Sequence, residues 1–235
     1  MRVGSISFMP AMVRAERAGL KTQTRRVVKE GIHHCTQCYC VFEASRVACP
    51  LCGLLIPCPY GAPGGLLYVK EAAWMWCERV PNGTTPTGRA KYRYEPLRSA
   101  PIHYVADHPE RPALDVVSPD TGNQWGWRYK VARFLPRWAS RTTLEITDVR
   151  VERLQEISEE DARAEGISPM PHHPGRWISE HDQGISFPTA VAAFRDLWES
   201  INGPDSWFRN DRVWAVTFKS HRQQVDDFIH ARASA

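Results

Sequence analysis

The stretch Gly19-Leu20-Lys21-Thr22-Gln23-Thr24-Arg25-Arg26 lies between an amphipathic segment, Met12 to Ala18, and Val27-Val28. Glycine enters the left-handed backbone region at no steric cost, so Gly19 is where a helix ends. A strand is predicted to follow at once, from Thr24 to Val28. Side chains alternate faces in a strand. Lys21 and Thr24 therefore reach one pocket only if Lys21 sits in the turn and Thr24 at the strand start. Positions 21–26 hold one lysine, two threonines and two arginines. That density of cation and hydroxyl suits a polyanion, a phosphate or a carbonyl oxygen, and it makes Thr22, Arg25 and Arg26 candidate contact residues. The plainer alternative is a solvated edge strand.

A second constraint comes from cysteine. Five of the seven cysteines fall between positions 35 and 52. Cys35-Thr36-Gln37-Cys38 and Cys49-Pro50-Leu51-Cys52 are two CxxC knuckles. Knuckles at this spacing, in an odd total, point to metal in a reducing compartment rather than to disulfides. Four thiolates close a tetrahedral zinc site with no open coordination position. The expectation is one structural zinc on Cys35, Cys38, Cys49 and Cys52, with Cys40, Cys58, His33 and His34 as substitute ligands. Residues 33–58 then form an insertion within a single domain spanning 1–220, and 221–235 is a polar tail or a frayed helix.

The net charge of +4 is mildly basic and compatible with nucleic acid. No apolar run is long enough to span a membrane, and the N-terminus lacks the apolar core of a signal peptide. The chain reads as a soluble cytoplasmic protein.

Strands are expected near Ile6–Phe8, Leu67–Val69, Lys91–Tyr94, Ile102–Val105, Thr143–Val151 and Arg212–Lys219. Pro81-Asn82-Gly83 reads as a turn and Ser168–Ser186 as a loop. A short helix before Gly19 and a longer one over Thr189–Ile201 follow from apolar spacing. Another helix is capped by Ser158, carries Glu159 to Asp161 at its positive end and stops at Gly166. Glu165 sits in its last turn, where the dipole disfavours an anion, which invites a functional reading. Glu71 ends an apolar strand and is read chiefly as an ion-pair partner for an arginine of the opening motif. In Pro136-Arg137-Trp138-Ala139-Ser140-Arg141, the arginines and Trp138 could hold a phosphate and stack a base. Equally, Trp138 could be core and the arginines paired with acids.

Taken together, the Gly-x-Lys-Thr-x-Thr-x-Arg core, the Pro136 to Arg141 stretch and the Ser158-Glu159-Glu160-Asp161-Ala162 helix resemble the ASCH domain family. The likeness is to its bacteriophage and prophage form with a cysteine insertion, over about Phe8 to Phe218. Relatives usually carry an Asp where Gly65 stands and an Arg in place of Lys70. The resemblance implies an α+β fold, a PUA-like mixed β-barrel with flanking helices. Small ASCH proteins include amidohydrolases that remove the acetyl group from N4-acetylcytidine with a lysine, a threonine and a glutamate. Those roles fall on Lys21, Thr24 and Glu165. A modified nucleoside or RNA is the implied partner. A non-catalytic reader of modified bases and an accessory factor in phage nucleic-acid processing are the alternatives.

Overall fold

The computed structural model describes residues 3–29, 32–34, 37–38, 40–43, 48–54, 56–110, 112 and 125–234. Its strands are β1 (Val3–Ser7), β2 (Gln23–Val27), β3 (Ile32–His34), β4 (Val41–Glu43), β5 (Leu66–Lys70), β6 (Ala73–Thr84) and β7 (Ala90–Pro96). They continue as β8 (Ile102–Tyr104), β9 (Gly126–Lys130), β10 (Thr143–Arg153), β11 (Ile167–Pro169), β12 (Trp177–Ser179), β13 (Asp182–Phe187) and β14 (Arg212–His221). The helices are α1 (Pro10–Arg17), α2 (Glu159–Ala164), α3 (Ala190–Asn202) and α4 (Val225–Ala233). The chain is thus mixed α+β and richer in strand than in helix.

The central sheet has the order β1-β5-β10-β14-β2. Only β1 and β5 run parallel; the other pairs are antiparallel. β14 is buried from Val213 to Val216, as expected of a strand flanked on both edges and covered on both faces. One large core joins this sheet to Met12 and Val13 of α1 and to Phe194, Leu197 and Trp198 of α3. A smaller core, built on Ala73, Met75, Cys77, Leu135 and Ala139, lies under the sheet β7-β6-β8, with β9 also paired to β6.

The sheets do not close into the expected barrel among the described residues: β1 and β2 are opposite ends of the strand order. Register supplies a reason. Val28 N donates to Arg212 O and Phe218 N to Thr22 O, so the even residues of β2 bond β14. Gln23 and Arg25 therefore turn their backbone groups to the open edge. Their carbonyls are already occupied there, by Lys21 Nζ at 2.9 Å and Arg26 Nη1 at 3.2 Å. Arg26 Nη2 then reaches across to Ser7 O of β1 at 2.8 Å. Side chains, not a backbone ladder, join these two edges.

Two local expectations are corrected. Residues 168–186 are not loop throughout: β11, β12 and β13 pair antiparallel there. Pro81-Asn82-Gly83 lies inside β6, where the register to β7 shifts between Pro81 and Thr84. A proline cannot donate to a ladder, and a bulge tolerates it. Of the two readings of the tail, the helical one holds: it carries α4, whose first amides are met by the Gln224 side chain. No helix among the described residues is long and apolar enough to cross a membrane.

Candidate functional site

Gly19 does end α1, with φ +75°. The turn after it is pinned by Leu20 N and Lys21 N, which both donate to Ala15 O at 2.9 and 3.1 Å. Lys21 then forms an isolated antiparallel bridge with Glu165, just past α2. Gly166 permits that approach. Its φ is +102°, and a Cβ there would lie 2.9 Å from Ala15 Cβ and 3.4 Å from Lys21 Cβ. Lys21 Nζ donates to Glu165 Oε2 at 2.6 Å, Gln23 O at 2.9 Å and Glu165 O at 3.1 Å. Both side chains are buried. Burial pushes the Lys21 amine below its ordinary value, with Arg26 and Arg25 acting in the same sense and Glu165 opposing.

Arg25 fixes the carboxylate from the other side, Nη1 lying 3.3 Å from Glu165 Oε1. Its guanidinium is wholly buried. It also donates to Gln23 Oε1 at 2.5 Å, to Glu152 Oε1 through Nε and Nη2 at 3.0 and 2.5 Å, and to Asp161 Oδ2 at 2.8 Å. Arg25 is therefore a positioning residue for Glu165 rather than a free ligand contact. Glu165 is thus bonded through both carboxylate oxygens at a helix end whose dipole disfavours a negative charge.

Lys21, Thr24, Arg25, Arg26 and Glu165 line one cleft of about 440 Å³ between the facing edges of β1 and β2. Thr24 is 1% exposed. Phe8 and Met12 form one apolar wall, and Phe194, Leu197 and Trp198 of α3 another, with Tyr60 and Asn202 also on the lining. Sequence reasoning missed Phe8, Tyr60 and Trp198 as site residues. The period of α3 marked Trp198 only as buried, which core and cleft wall share.

Other expected contacts lie elsewhere. Thr22 is exposed and borders a separate shallow pocket with Arg163 and Trp177. Glu71 pairs not with the opening motif but with Arg141, through two bonds of 2.8 Å. Arg141 also bonds Asp107, which Arg17 engages in turn. Arg137 is bound to Asp226. Trp138 is half-buried against the smaller core, with the Arg98 guanidinium 5.4 Å from its ring. None of Glu71, Arg137, Trp138 and Arg141 lines the cleft. Strand order accounts for this, because Thr143 of β10 pairs with Tyr68 of β5 and so brings Arg141 to Glu71.

Cys35 falls outside the described residues. Cys38, Cys49 and Cys52 hold their sulfurs within 4.8 Å of one another. Cys40 joins them, 3.4 Å from Cys38 and 3.2 Å from Cys49, while Cys38 and Cys49 are 3.3 Å apart. Sulfurs around one tetrahedral zinc, with bonds of about 2.3 Å, stand roughly 3.8 Å apart, so the cluster could hold a metal ion. Burial opposes ionisation of Cys49, but the backbone N–H groups of Cys52 and Leu51 and the Cys40 thiol bring it down to about 6. A thiolate is the form that binds metal.

No family model, curated protein or solved structure matches this chain.

Proposed function

We propose that the chain is an ASCH-type protein of PUA-like descent that hydrolyses the amide of an N-acylated nucleoside such as N4-acetylcytidine. The observation that carries the reading is the buried Lys21–Glu165 pair in the same cleft as the buried Thr24. Facing sheet edges around a ligand-sized cleft support the PUA-like assignment. A structural zinc on the cysteine cluster completes it; four thiolates would hold the loop and take no part in the reaction.

The chemistry needs a neutral amine at Lys21, and burial favours that form. Thr24 Oγ1 attacks the amide carbonyl carbon while its proton passes to Lys21 Nζ. The C–N bond breaks as the Lys21 ammonium returns that proton to the departing nitrogen. Water then attacks the threonyl ester and gives a proton to Lys21, which passes it to Thr24 Oγ1 as the ester C–O bond breaks. A carboxylic acid leaves. Glu165 orients Nζ and stabilises its cationic form. The Arg25 N–H, turned to the open edge, is a donor for the developing oxyanion.

A second reading is favoured by one feature: Nζ already has three acceptors. A lysine so satisfied suits a structural pair beneath a reader's binding cleft. Incubating the protein with acylated nucleosides, and following products by mass spectrometry, separates the two. Release of acetate and cytidine supports the hydrolase; binding without conversion supports the reader.

A further inference from the structure

Three cations line the cleft, and two of them are neutralised within the fold. Lys21 is paired with Glu165, and Arg25 with Glu152, Asp161 and Glu165. Both Glu165 oxygens are thereby used. Arg26 is different. Its two hydrogen bonds go to backbone carbonyls, Ser7 O at 2.8 Å and Arg25 O at 3.2 Å, and it has no carboxylate partner among the described residues. It is half-buried, with its guanidinium 5.8 Å from the Phe8 ring centroid. Burial pushes its pKa below the ordinary arginine value, with Tyr60 and Glu165 opposing.

A guanidinium has five N–H donors. With one used on each carbonyl, three remain on a group whose plane those bonds hold. An arginine fixed in this way, with spare donors in a fork, matches a phosphate better than a neutral ring or hydroxyl. Ser5 and Ser7 of β1 are among the residues that line the same cleft.

We propose that the cleft takes a phosphorylated ligand, with its phosphate on Arg26 and its acylated base toward Lys21 and Thr24. The substrate class is then a nucleotide rather than a free nucleoside, whether a mononucleotide or a residue within RNA. The placement of the base rests on the amidohydrolase reading; the anion site rests on Arg26 alone.

Calorimetric titration of the full chain with cytidine, N4-acetylcytidine, their 5′-monophosphates and a single-stranded RNA hexamer containing N4-acetylcytidine tests this. Charge-assisted hydrogen bonds to the phosphate should make each monophosphate bind about tenfold or more tighter than its nucleoside. Salt should narrow that gap, and Arg26→Gln should remove most of it. A hexamer no tighter than the monophosphate assigns free nucleotide, and a tighter one assigns RNA; either supports the proposal. Equal binding of nucleoside and monophosphate by the wild type would overturn it, without reference to any variant's folding. So would a gap that survives in a folded Arg26→Gln protein, or no binding of any monophosphate. A phosphate gap with no turnover keeps the anion site and sinks the hydrolase; turnover without a gap does the reverse.

Discussion

Lys21 and Glu165, 144 residues apart in the chain, are joined twice: by an isolated backbone bridge and by a 2.6 Å ion pair. The bridge sets the height of the two side chains against each other, and the pair offsets the cost of burying both charges. Removing one partner leaves the other stranded. Glu165→Gln should lower unfolding stability in urea by about 3–5 kcal/mol, the usual cost of breaking a buried pair. Lys21→Met with Glu165→Leu should recover much of that loss. A double variant no better than the single ones would show that the pair is not the source of the effect.

Thr24→Ala separates enzyme from reader. A lost nucleophile costs transition-state stabilisation and not ground-state contacts. Turnover should vanish while ligand affinity changes by no more than about 1 kcal/mol, the worth of a neutral hydrogen bond. Persistent turnover in Thr24→Ala would remove Thr24 from the mechanism.

Trp138 and the cleft are separate, so Trp138→Ala should leave nucleotide affinity as it is. It should cost on the order of 2 kcal/mol of stability, less than a fully buried aromatic, because the ring is half-exposed. Stability comes from chemical denaturation and affinity from calorimetry. A weakened affinity at unchanged stability would restore the stacking role expected from the sequence.

Glu16 offers a pH-dependent test. It is 3% exposed, accepts from Ser220 through Oε1, and its Oε2 has no hydrogen-bond partner among the described residues. Burial raises its pKa above the ordinary 4.5, and the charge of Glu71 adds to this. The folded state thus holds the Glu16 proton more tightly than the unfolded chain does. Stability is lost as pH rises from about 4.5 through the raised value. Glu16→Gln should escape that loss. Its melting temperature relative to wild type should climb over this window and level off above it. A difference independent of pH would refute the linkage.

Chelation tests the cysteine cluster. Elemental analysis should find one zinc per chain, and its removal should lower the melting temperature. Cys49→Ser should lose the metal. Comparing Cys35→Ser with Cys40→Ser identifies the fourth ligand, because only the true one lowers zinc content. Protein purified without metal, and indifferent to chelator, would rule the centre out.

Short-range chemistry made the local elements legible. Gly19 ends α1, Ser158 Oγ accepts from Asp161 N at 3.1 Å, and Thr189 Oγ1 accepts from Ala192 N at 3.1 Å. A helix cap is decided within four residues, and alternation within one strand, so the sequence alone carries both. The same holds for Lys21 in the turn with Thr24 on the strand after it, and for the misfit of Glu165 at a helix C-terminus. Partner choice is of another kind. Nothing near Arg141 marks Glu71 as its carboxylate, and nothing near Arg25 marks Glu152 and Asp161. Those pairs exist because β10 lies between β5 and β14, and β14 between β10 and β2. The sheet β11-β12-β13 and the open edge between β1 and β2 were hidden for the same reason. Which groups are present, and which turns place them, follows from local sequence; strand order, a property of the whole chain, decides which carboxylates meet Lys21 and Arg25 and leaves Arg26 on backbone carbonyls at the cleft.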